Sequence, residues 1–173
     1  MTTLALLIAL AAPPEAPVVP PSEAPAAAPQ WTLQVDPLTT ALGFVHVQVE
    51  RALAPHWSVY LGPSLHLFQG VLADGDVLGL GAEAGVRWFV RPTAPAGWWL
   101  EVRGVLAHLT TEAHGTEETG LGGYVSALGG YTWIHGCWLL AGGAGVQYLN
   151  YRVSDQGPKG VLPALHTTVG LAF

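Results

Sequence analysis

The chain predicts an all-β fold, an up-and-down antiparallel transmembrane β-barrel of about eight strands. Three observations carry this. Seven strand-like segments each bring one outward-parity aromatic to the same end: Trp31, Trp57, Trp88, Trp98, Trp133, Trp138 and Phe173. A ring of aromatics at one level suits a lipid–water interface, where each ring is half apolar and half wet. Half of the 173 residues are apolar and only 10% are charged, against about 25% in soluble domains. That poverty of charge is natural for a surface facing lipid. Finally, Thr119–Tyr151 contains no Asp, Glu, Lys or Arg, yet it holds nine glycines. Each glycine costs a helix about 0.8–1 kcal/mol relative to alanine. Ser126 and Thr132 share one parity there, and Val125, Ala127, Tyr131 and Trp133 share the other. A period of two means strand.

Residues 1–11 read as a signal peptide. Leu4–Leu10 is a short apolar core and Ala9-Leu10-Ala11 is an A-x-A-like cleavage site, although Met1-Thr2-Thr3 lacks the usual basic residue. Residues 12–30 are a Pro/Ala-rich leader that cannot build a core. The barrel occupies residues 31–173. Its strands are expected at 31–38, 43–52, 57–68, 77–90, 98–111, 121–134, 138–150 and 161–173. Most reach the roughly 9–11 residues a tilted membrane strand needs; the first is short.

Parity separates lipid from lumen in each strand. In strand two, Val45, Val47 and Val49 oppose His46, Gln48 and Glu50. In strand four, Leu78, Leu80, Ala82, Ala84, Val86 and Trp88 oppose Gly79, Gly81, Glu83, Gly85, Arg87 and Phe89. In strand eight, Val161, Pro163, Leu165, Thr167, Val169, Leu171 and Phe173 oppose His166, Thr168 and Gly170. Only the mostly apolar set can face hydrocarbon, because an Arg at mid-bilayer costs about 2–4 kcal/mol. The connections Ala54-Pro55-His56, Arg91–Gly97 and His135-Gly136-Cys137 are short or rich in Pro and Gly. Gly70–Asp76, Glu112–Gly120 and Arg152–Gly160 are longer and acidic, carrying Asp74, Asp76, Glu112, Glu117, Glu118 and Asp155; Thr39–Leu42 is a short exception on that side. Short periplasmic turns and longer outer loops are the pattern of this barrel class. With an even strand number, both termini and the aromatic ring are expected on the periplasmic side.

Glu50, Glu83, Arg87, Glu101 and Arg103 all fall on the inward parity. If Trp88 faces Trp98, Glu83 faces Arg103; a two-residue slip puts Arg87 opposite Glu101. Either register pairs opposite charges on neighbouring strands, and a narrow lumen requires such pairing. The expectation is a network that closes the barrel. Ser64 and His66 share the inward parity of strand three. A Ser-His pair within hydrogen-bond reach is the core of nucleophilic catalysis, but lumen lining is the favoured reading, so no catalytic residue is assigned.

The histidines at 46, 56, 66, 108, 114, 135 and 166 are scattered one per segment without ligand spacing. No metal site and no cofactor are expected. Gly79–Gly85 lies inside a strand rather than opening a helix, and is not a dinucleotide fingerprint. The net charge of −6 argues against nucleic acid as a partner. The single cysteine, Cys137, excludes an internal disulfide and is expected as a free thiol. The acidic loops are read as solvated, with cation or lipopolysaccharide binding as the alternative.

The closing run Val169-Gly170-Leu171-Ala172-Phe173 resembles the C-terminal signal of outer-membrane barrels. With the strand count, the domain resembles the small eight-stranded OmpA/OmpX/OmpW-type barrels over roughly residues 31–173. The stretch Gly43–Leu53 followed by Trp57-Ser58 is similar to openings of members of this class. The resemblance implies integral outer-membrane location in a Gram-negative-type cell. It also implies recognition of the last strand by the barrel-assembly machinery, and contact with outer-membrane lipids and lipopolysaccharide. The function expected is a non-enzymatic structural or interaction protein with its lumen closed by the Glu/Arg network. The alternatives are a narrow or lateral channel for small solutes, as in the OmpW-like branch, a lipid-modifying enzyme, and a soluble lipocalin-like barrel. The last must explain the many outward Leu, Val and Trp.

Overall fold

Alternating apolar and polar residues give each strand one face for each side of a single sheet, and that sheet closes on itself. A computed structural model describes residues 28–69, 76–113, 116–151 and 159–173. The elements are β1 (Trp31–Val35), α1 (Pro37–Ala41), β2 (Phe44–Ala54), β3 (Trp57–Gln69), β4 (Asp76–Phe89), β5 (Gly97–Ala113), β6 (Thr116–His135), β7 (Trp138–Asn150) and β8 (Lys159–Ala172). Each strand pairs antiparallel with its sequence neighbours, and β8 returns to β1 to complete an eight-stranded barrel. The expected signal peptide, most of the leader, Asp74, His114 and Asp155 lie outside the described residues.

The β2–β3 and β6–β7 connections are two-residue turns. In the second, Gly136 takes φ 58°, the positive value that primed hairpin turns demand at their first central position. The outer wall is apolar: Leu61, Leu80, Leu106, Leu121, Val125, Val161 and Leu165 are all exposed. The inner face holds the buried residues, polar and apolar alike.

Strand one departs from expectation. It ends at Val35, three residues early, and the predicted short turn at Thr39–Leu42 belongs to a helix. Asp36 caps that helix, accepting 3.0 Å bonds from the Leu38 and Thr39 N–H groups. Pro37 fills the first helical position, where a missing N–H costs nothing. β1 therefore pairs with β8 only over Thr32–Val35 and Val169–Ala172. Above that, the Asp36 carboxylate takes the place of a strand, accepting from the Thr167 hydroxyl (2.9 Å) and N–H (3.4 Å). Trp31 and Phe173 exchange both backbone bonds at 2.9 Å, so odd-numbered residues of β8 point their backbone groups toward β1. Pro163 thus turns its hydrogen-free nitrogen to the edge that β1 leaves uncovered, a place in a sheet where proline costs no ladder bond.

Candidate functional site: the closed lumen and its aromatic rim

The hairpin register decides how the inward charges meet. β4 and β5 pair with Trp88 opposite Leu100, Arg87 opposite Glu101 and Gly85 opposite Arg103. This is the slipped register, and Glu83 faces Val105 instead of Arg103. Arg87 is fully buried and becomes the hub. Its Nε donates to Glu101 Oε2 at 2.5 Å, Nη1 to Glu50 Oε2 at 2.8 Å, and Nη2 to His166 Nε2 at 2.9 Å. One guanidinium thereby ties β2, β4, β5 and β8 across the lumen. The rings of Trp99 and Tyr60 stack on it, with Cζ 4.9 and 5.0 Å from their centroids.

The hub's partners are themselves satisfied. Glu50 also accepts from Gln34 (2.6 Å), Ser58 and Thr32, while the Tyr60 hydroxyl donates to Glu101 at 2.8 Å. Thr168 donates to Gln34 at 2.8 Å. Beyond His166, Arg103 Nη1 approaches Nδ1 at 3.0 Å and Asp36 Oδ2 lies 3.3 Å from the same nitrogen. Buried charges of both signs, most of their hydrogen-bond positions filled although Arg103 Nε is not, form a connected plug in a low-dielectric interior.

Apolar layers bound the plug. Toward the short turns, Phe89, Trp99, Leu128 and Ala164 form a cluster, and the Trp99 indole N–H donates to Thr132 at 2.9 Å. Toward the long loops, Val105, Ala107, Leu109, Tyr124, Leu149 and Tyr151 pack together with Phe44 against them. Inward glycines provide room for these rings. A Cβ on Gly85 would fall 2.3 Å from the Tyr60 ring, and one on Gly130 would fall 2.4 Å from Trp99.

Glu83 sits between the plug and the outer apolar layer. Its Oε2 lies 3.4 Å from His46 Nδ1. Gln48 is the carboxylate's other polar neighbour, no guanidinium or hydroxyl donates to it, and the Ser126 hydroxyl makes no side-chain hydrogen bond. Of the two registers the sequence allows, the structure therefore has the one that pairs Arg87 with Glu101. Ser64 Oγ and His66 Nε2 are 2.6 Å apart, but both are buried, with Phe44 and Tyr151 against the imidazole.

The seven rim aromatics, Trp31, Trp57, Trp88, Trp98, Trp133, Trp138 and Phe173, are all on the outer wall and 37–68% exposed. The seventh tryptophan, Trp99, points inward. Parity alone assigns it there, one residue from the outward Trp98. No group of three or more His, Cys, Asp or Glu side chains that could hold a metal is present among the described residues.

No protein-family model and no curated protein matches the chain. Among solved structures, the crystal structure of Neisserial surface protein A is similar in fold. It covers 83% of this chain and 94% of its own length, with a TM-score of 0.55 and 12% identity.

Proposed function

We propose that the chain is an integral outer-membrane β-barrel with a structural or interaction role, and that its lumen does not conduct. The observation that carries this is the sealed interior: the Arg87 hub between two apolar layers fills the space that a pore would need. The exposed apolar wall and its aromatic rim support membrane embedding, since so much exposed apolar surface is rare on a soluble monomer. The likeness in fold to a surface protein supports the same placement. In this reading the termini are periplasmic, the C-terminal strand engages the barrel-assembly machinery, and the wall contacts outer-membrane lipid and lipopolysaccharide. No catalytic role is assigned, because the Ser64–His66 pair is enclosed.

The test is gel mobility of outer-membrane fractions from cells expressing the chain. A compact band that shifts on boiling supports the reading. Recovery in the soluble periplasm with no shift overturns it, and the outward Leu and Trp residues would then need another cover.

A further inference from the structure

Charge is distributed unevenly along the barrel axis. At the short-turn end, the segments 52–57, 89–98 and 134–139 contain no Asp or Glu, while Arg51, His56, Arg91 and His135 lie in or beside them. At the opposite end, among the described residues, Asp76, Glu112, Glu117 and Glu118 stand against Lys159 alone. The basic residues are also organised on the aromatic rim. Arg51, on the outer wall, holds its guanidinium 4.9 Å above the Trp31 ring. His135 stacks on Trp133 at an interplanar angle of 3°, and His56 stacks on Trp88 at 16°. Arg51, Arg91 and His135 are exposed.

The tryptophans fix the depth of these groups. Indole rings settle at headgroup level, so a guanidinium resting on one is held where lipid phosphates lie. Stacking on the ring also orders the long side chain while leaving its in-plane N–H groups free of the ring. We propose that this rim binds the headgroups of anionic phospholipids, with Arg51 and Arg91 as the phosphate-binding side chains. The outer-wall position of Arg51 favours lipid over a soluble acidic partner, because the lipid-facing parity places it beside acyl chains and not in the lumen mouth. Each arginine near an anionic surface contributes roughly five-fold in affinity.

The inference rests on membrane embedding, and the experiment separates the two. The full-length protein is folded into phosphatidylcholine/phosphatidylglycerol vesicles in which either lipid carries brominated chains, and tryptophan quenching is compared. Stronger quenching by brominated phosphatidylglycerol is expected. It should fall to parity in the R51Q/R91Q double variant, folded by the gel-shift criterion, and at high salt, which screens exposed charge. Should the double variant not fold, R51Q and R91Q singly and the salt series on the native protein carry the same reading. Equal quenching by both lipids in the native protein overturns the headgroup inference and leaves embedding intact. A preference that survives the double substitution overturns the assignment to these arginines. Quenching by neither lipid overturns embedding, and the inference with it.

Discussion

Two neighbouring layers of one lumen are built from the same residue types with opposite results. Around Arg87, each carboxylate has a guanidinium and at least one hydroxyl, phenol or amide donor. One layer further toward the long loops, Glu83 is just as deeply buried but has only Gln48 and His46 as polar neighbours, and no guanidinium or hydroxyl donates to it. Strand parity places both sets inside. Parity does not decide which of them is satisfied; that depends on whether side chains from four strands converge on one point. A buried charge contributes to stability only when its partners are complete, and removing one partner is more damaging than replacing the whole set.

The comparison is broken or sharpened most strongly at the hub. Arg87→Gln should lower unfolding stability by about 3–5 kcal/mol, because Glu50 and Glu101 would be left buried without their cation; urea titration followed by the gel shift measures it. A loss equal to that of a surface substitution would refute the hub. Glu50→Gln keeps the shape but weakens a charge-assisted bond, and should cost about 1.5–3 kcal/mol in the same titration. Gly85→Ala tests the space around the hub from the backbone side. The added methyl meets Tyr60, and overpacking of this kind costs about 1–3 kcal/mol, readable as a lower urea midpoint. The smallest effect should come from the other layer. Glu83→Gln removes a charge that no guanidinium holds, and should leave the barrel unchanged or up to about 1 kcal/mol more stable. Destabilisation comparable to Arg87→Gln would erase the distinction between the layers.

Much of this architecture is legible in the chain, for a physical reason. Period-two alternation is a one-dimensional signal, so strand number, outward-facing residues and the aromatic rim follow from it directly; β7 occupies the 138–150 interval that its pattern predicts. Strand one shows how the same signal misleads. Gln34 and Asp36 continue the inward parity, which hides the helix start that Asp36-Pro37 encodes. Alternation describes side-chain faces and is blind to the competing claim of an N-cap. The β4–β5 register is beyond sequence because both alternatives place opposite charges on adjacent strands. Contacts across the lumen, such as Arg87 to His166 over 79 residues, depend on the tilt and stagger that close the barrel, which no local pattern records. The proximity of His46 to Glu83 is of the same kind, since scattered histidines acquire neighbours only when the sheet curls.

The central claim is a membrane barrel with a sealed lumen, and planar-bilayer recording of gel-shift-positive protein tests it most directly. The account predicts no steady current above the bare bilayer, since the Phe89–Trp99 layer, the Arg87 network and the Phe44–Tyr151 layer lie in series. A reproducible ohmic conductance from the folded native protein would contradict it and would make the narrow-channel reading the correct one.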